Sequence, residues 1–183
     1  MIIESDISEK NAAMQVAQLM AAAARTAPKA CGVDAIETLI LDGEEKDRLA
    51  AQMREIGKAD GKAFFTRDAG NIDSSHCIVL IGVRGEPRGW DSPWSTDCGL
   101  CSSGGCAATG SSGTPCTMAV TDLGIALGSA AAAAMDHRID NRIFYTAGYA
   151  ALKLKLLSGN VNVCFGIGLA TKGKNIFFDR PSI

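Results

Sequence analysis

Residues 77–83 read Cys-Ile-Val-Leu-Ile-Gly-Val, a continuous, β-branched apolar run bounded by turn residues. It is the strongest strand in the chain. Upstream, Phe64-Phe65 is a short apolar piece, and residues 44–56 form an amphipathic helix after an Asp42-Gly43 turn. Residues 36–41 are a short β-prone strand. Before it, residues 7–26 (ISEKNAAMQVAQLMAAAART) carry apolar groups at helical spacing and many alanines, the best helix formers. That helix ends near Ala27, because the residue before Pro28 resists helical geometry. Downstream, residues 84–117 hold three of the five prolines, both tryptophans and many glycines, with no helix or strand pattern. Helical character returns over 118–137, with Asp122 expected in the first turn, where a carboxylate suits the helix dipole. Asp140-Asn141 reads as a turn or cap, 146–157 as a helix, and 161–169 as a strand. This order implies a mixed α/β or α+β fold, one domain over 1–183 with a central sheet flanked by helices and a cysteine-rich loop over 84–117.

The chain has 183 residues, 47% apolar and 21% charged, which excludes a disordered polymer. Its 18 basic and 20 acidic residues give a net charge of −2, and aromatics are only 5%. Both facts argue against nucleic acid as a partner, which calls for basic excess and stacking platforms. The longest apolar stretch, Gly124 to Met135, is about half of a membrane span, so no membrane association is expected. Glu4 and Asp6 stand where a secretion signal carries basic residues, and the expected location is cytoplasmic. Seven cysteines, an odd number, then do not suggest a disulfide framework.

Four of the seven, Cys98, Cys101, Cys106 and Cys116, fall within nineteen residues. Four thiolates hold either a tetrahedral zinc ion or an iron–sulfur cube. The spacing x2, x4, x9 favours the cube, because structural zinc usually takes its ligands as two close pairs. Glycines at 99, 104, 105, 110 and 113 let backbone approach a bulky cluster, and Pro115 removes one amide beside the last cysteine. A loop this long needs such ligation to gain order. Zinc, and a Cys98/Cys101 dithiol, remain the alternatives.

Other signals are weaker. Cys77 and Cys164 lie in apolar strands and read as core; Cys31, beside Lys29, reads as a half-buried small residue. His76 and His137 flank elements and read as surface or capping residues. Gly166-x-Gly168 lacks the third glycine and the following helix of a dinucleotide fingerprint. Lys172, Lys174 and Arg180 form a small basic group, either a solvated turn or an anion or flavin-phosphate site.

Several separate pieces occur in one order: Ala27-Pro28-Lys29-Ala30-x-Gly32-x-Asp34, Phe65-x-Arg67-Asp68-Ala69, the C-G-L-C…C…P-C loop, Asp122-Leu-Gly-Ile-Ala-x-Gly-Ser129, Asp140-Asn-Arg142 and the stretch from Gly173 to Arg180. In this the chain resembles the small prokaryotic ferredoxin-domain proteins of unknown function, across nearly its whole length. Ser102 replaces the glycine usual after the second cysteine of that loop. A fainter resemblance is to the nitroreductase-like flavoprotein fold, whose members are usually homodimers binding FMN between subunits. The arginines that usually grip the FMN phosphate near the N-terminus are missing, and only Lys10 and Arg25 lie in that region.

The expectation is therefore an iron–sulfur redox protein with one [4Fe-4S] cluster on Cys98, Cys101, Cys106 and Cys116. The resemblances imply FMN as a second cofactor, a homodimer, and a redox partner such as ferredoxin or a reductase. The rival is a non-enzymatic binding or scaffold protein with a structural zinc site made by the same four cysteines. The sequence presents no catalytic triad and no pair of carboxylates placed in one site.

Overall fold

Along β2 (Cys77–Arg84) the side chains split between two cores. Cys77, Val79, Ile81 and Val83 enter one, and Ile78 and Leu80 the other. A strand apolar on both faces must be covered on both. The computed structural model of the protein, which describes residues 1–88 and 115–178, shows how that is done. β1 (Ile36–Leu41) pairs antiparallel with one edge of β2, and β4 (Val161–Ala170) with the other. β3 (Asp140–Phe144) pairs antiparallel with β4, giving the order β1-β2-β4-β3.

Two helices, α1 (Ser5–Thr26) and α4 (Thr117–Asp136), pack on one face of this sheet. Three, α2 (Gly43–Ala59), α3 (Ala63–Ser74) and α5 (Tyr145–Lys153), pack on the other. The antiparallel sheet between two helical layers agrees with the α+β expectation.

α1 buries Ala13, Val16, Ala17, Met20 and Ala24, the spacing of a single helical stripe. It ends as expected, with Ala27 extended ahead of Pro28. The Lys29 ammonium then donates to the carbonyls of Arg25 at 2.5 Å and Ala27 at 2.9 Å, satisfying acceptors that a helix end leaves open. α3 uses the same device. The buried Lys46 ammonium donates to the carbonyls of Ile72 and Asp73 at 3.1 and 3.2 Å.

Four expectations are corrected. The piece at Phe64-Phe65 is the start of a helix, α3, whose Phe65, Asp68, Ala69 and Ile72 face inward. Asp140-Asn141 opens an edge strand rather than a turn, because β4 offers it a full set of pairing partners. The helix expected over 146–157 stops at Lys153, where Leu154 closes it and Lys155 takes a left-handed φ of 55°. Asp122 lies beyond the first turn of α4, which begins at Thr117. Of the loop expected over 84–117, Arg84 belongs to β2 and Thr117 to α4, while residues 89–114 lie outside the described ones.

α4 also departs from the estimate of the longest apolar stretch. With 20 residues and a mean hydropathy of 1.5 it is long and apolar enough to cross a membrane. Seven of its residues, Asp122 among them, are buried in the fold.

Among the glycines of the described residues, the tightest approach is between α5 and β4. A Cβ on Gly148 would lie 1.8 Å from the Cys164 carbonyl oxygen. The Gly166-x-Gly168 pair has a packing reason too: Cβ atoms there would meet Ile78 and Ala147, or Ser75 and Phe144. Gly148→Ala is expected to cost at least ~3 kcal/mol in urea unfolding, the upper end for overpacking. Gly70→Ala, with nothing within 4 Å, is expected to be neutral or stabilising by up to ~1 kcal/mol.

Candidate functional site

Cys98, Cys101 and Cys106 lie outside the described residues; the two flanks of their segment do not. Leaving β2, Gly85 accepts the Cys116 amide on its carbonyl at 3.1 Å and donates its own amide to Asn162 Oδ1 at 2.8 Å. Asn162 is the extra residue of a bulge, since Val163 opposes Val83 and Val161 opposes Arg84. A Cβ on Gly85 would come within 2.8 Å of both Asn162 and Pro115, so only glycine fits. The two flanks of residues 89–114 therefore meet at one clasped point.

Cys116 stands at that point as the N-cap of α4 and is 4% exposed. The helix start carries a partial positive charge that suits an anionic sulfur centre. Close by, Arg88 Nη2 donates to Asp122 Oδ2 at 3.1 Å, with both side chains buried. The other Asp122 oxygen accepts the Ala30 amide at 2.8 Å, fixing the short 3-10 turn Ala30–Gly32 against α4. Arg88 Nε is buried without a hydrogen-bond partner among the described residues. A helix N-terminus under a buried cysteine, and an unpartnered cationic N–H on the other flank of the same segment, fit a four-thiolate metal centre. Among the described residues no three metal-ligating side chains gather on their own.

The other candidate group is at the opposite end of the sheet. Cys77 pairs with Leu169 and Arg84 with Val161, so Lys172, just past β4, is separated from the clasp by the length of β2, about 23 Å. Lys172 lines a cleft of about 560 Å³ with Glu9, Arg138, Asp140 and Thr171. Lys10 and Lys172 both bear on His76, whose Nε2 is 2.8 Å from Thr171 Oγ1. Of the two cations noted near the N-terminus, Lys10 therefore joins this end, while Arg25 is held by Asp34 and the Ile36 carbonyl. In the cleft itself Arg138 and Lys172 stand with Glu9 and Asp140, and Lys10 lies within electrostatic reach of His76. Lys174 is exposed nearby, and Arg180 lies outside the described residues.

The remaining cysteines divide clearly. Cys77 and Cys164 are buried as expected, and burial pushes both thiols up to about 12. Cys31 is exposed rather than half-buried, with a left-handed φ of 56°. Its neighbour Lys29 is committed to the carbonyls ending α1. His137 caps α4, as a capping residue should.

Sequence reasoning missed Arg88, Asn162 and Arg138. One signal was available: a carboxylate within the apolar interior of an Ala-rich helix needs a buried partner, and Asp122 implied one.

The fold has solved counterparts. A nitroreductase from Lactococcus lactis in complex with chloramphenicol superposes with a TM-score of 0.61 at 14% identity, over 88% of this chain and 79% of that one. A nitroreductase with bound FMN from Desulfitobacterium hafniense gives 0.52 at 15%, over 100% and 84%. The NADPH:FMN oxidoreductase of Vibrio harveyi, complexed with NAD+, gives 0.55 at 12%, over 88% of this chain and 60% of that enzyme. The fold is thus nitroreductase-like. Residues 112–180 match the family described as "uncharacterized protein containing a ferredoxin domain", and of the four clustered cysteines that stretch includes Cys116. An uncharacterized protein of Archaeoglobus fulgidus is 38% identical over 180 residues, 93% of this chain and 94% of its own. The chain belongs to this ferredoxin-domain family.

Burial and then Lys172 hold His76 below the ordinary histidine value of 6.5. As pH falls through that value the unfolded chain takes up a proton that the folded one resists, so stability declines. The urea midpoint is expected to fall between about pH 7 and pH 5, and His76→Gln to lose that part of the slope. Native Cys77 and Cys164 are expected to resist alkylation at pH 8 until denaturant is added.

Proposed function

We propose that this protein is a redox protein carrying one [4Fe-4S] cluster on Cys98, Cys101, Cys106 and Cys116, working in electron transfer or as a flavin-linked oxidoreductase. The observation that supports it most is the clasp: a buried Cys116 at a helix N-terminus, with Gly85 and Asn162 fixing both flanks of the cysteine segment. Family membership and the nitroreductase-like fold give the same redox setting. When bound, such a cluster exchanges single electrons, and FMN one or two. The chain's own part is to hold the sulfur ligands, present the helix start to them and exclude water.

FMN is proposed as the second cofactor. Its phosphate would be met by the basic end that gathers Lys10, Arg138 and Lys172, with Lys174 and Arg180 from the same tail. The electron partner is a ferredoxin or a reductase, and the compartment is the cytoplasm. A homodimer is proposed from the outer face of α4. Val120, Ile125 and Met135 are exposed there, and Gly124 and Gly128 have open space where a Cβ would stand.

Protein purified without oxygen is expected to absorb broadly near ~400 nm and to hold about four irons per chain. Cys106→Ser should lose most of the iron and Cys164→Ser should keep it; equal iron in both would sink the ligand assignment. A colourless protein with about one zinc per chain would replace this reading with the four-cysteine zinc scaffold. Ile125→Glu is expected to halve the sedimenting mass while leaving the far-UV spectrum unchanged.

A further inference from the structure

We infer that the buried Arg88–Asp122 pair is the electrostatic element that sets the reduction potential of the cysteine-held centre. The inference rests on the cluster reading above and assigns these two residues a role toward it.

The pair is expensive as a structural fastener. Arg88 and Asp122 side chains are 2% and 3% exposed, and taking two charges out of water offsets most of their attraction. Apolar residues of similar volume often hold a core equally well. The arrangement is also incomplete as a fastener. Asp122 is satisfied on both oxygens, by Arg88 Nη2 and the Ala30 amide. Arg88 Nη1 reaches the Glu86 carbonyl at 3.4 Å. Among the described residues nothing accepts from Arg88 Nε, a buried N–H that is costly unless an acceptor is supplied.

The position points to what that acceptor is. Arg88 stands three residues beyond Gly85, whose carbonyl takes the amide of Cys116. Asp122 lies six residues along α4 from Cys116, a rise of about 9 Å. A buried charge at that range is only weakly screened. Thiolate and sulfide sulfur are anionic acceptors, and one-electron uptake adds negative charge to the centre without breaking a bond. A cationic N–H favours the reduced form, and an unopposed carboxylate disfavours it.

The test is a redox titration of the iron-loaded full-length protein, with dithionite as electron donor and ferricyanide as acceptor, and iron assayed on each sample. Arg88→Gln leaves Asp122 unopposed and is expected to lower the midpoint by at least 59 mV, tenfold in the oxidised-to-reduced ratio. Asp122→Asn leaves Arg88 unopposed and is expected to raise it by as much. A packing defect has no reason to give opposite signs. Shifts of one sign, or none, in iron-loaded variants overturn the inference and leave the cluster reading standing. Wild-type protein without iron overturns that reading before any variant is made. Should the neutralising variants fail to fold, Arg88→Lys decides. It keeps the charge and the ion pair but loses the Nε donor, so a lowered midpoint supports the inference and an unchanged one overturns it.

Discussion

Everything in this fold answers to β2, a strand with apolar side chains on both faces. Val79 and Ile81 must be covered from one side and Ile78 and Leu80 from the other. The chain meets both needs with helices, because a short antiparallel sheet has no second sheet to fold onto. α1 and α4 supply one layer; α2, α3 and α5 supply the other. With β1 and β4 occupying both edges of β2, the strand has no freedom of register: a slip of one residue would exchange the two cores. The C-terminal end of β2 is thereby placed against the N-terminus of α4, and this fixes where the cysteine segment departs and returns.

That placement joins the two flanks of residues 89–114 through a few contacts. Closing a loop costs entropy that rises only slowly with its length, so the burden falls on the closing contacts. Here they are the Gly85–Cys116 bond, the Gly85–Asn162 bond and the Arg88–Asp122 pair. The first two need a glycine and a bulge. The third needs a charge inside an apolar helix. Each breaks a local rule of its own element, and departures of this kind concentrate where function outweighs regularity.

The same rule-breaking decides what could be read from the sequence. β1 was legible to the residue, and β2 nearly so, because burial dictates their composition and nothing else competes. α3 was hidden because its inward stripe includes the charged Asp68, whose carboxylate accepts the buried Thr146 hydroxyl at 3.0 Å. β3 was hidden because an edge strand keeps polar residues such as Asp140 and Asn141. Arg142 shows what local reading lacks. It donates to the Phe177 carbonyl at 3.0 Å and stacks over Phe144 and Phe178, joining β3 to a tail more than thirty residues away. The two motifs at 140–142 and 173–180 could be seen separately in the sequence, but their contact is tertiary. In the candidate site, Cys116 was legible by its company of cysteines. Arg88 was not, since an arginine after a proline in an irregular stretch carries no pattern.

α4 runs from the clasp towards the basic cleft. It begins beside Cys116, carries Asp122 inward, and is followed at once by Arg138 in the cleft with Lys172. Its inner face is committed to the sheet and to α1, whereas its outer face, among the described residues, is bare and lined with small or apolar groups. The basic cleft lies about 23 Å of strand away from the clasp. Under the proposed reading, a second copy on the bare face and a flavin held between copies would enclose that span. Assembly and electron transfer would then depend on the same surface. Under the same reading, the open face between the clasp at one end of α4 and the basic cleft at the other is the surface that a second copy would complete.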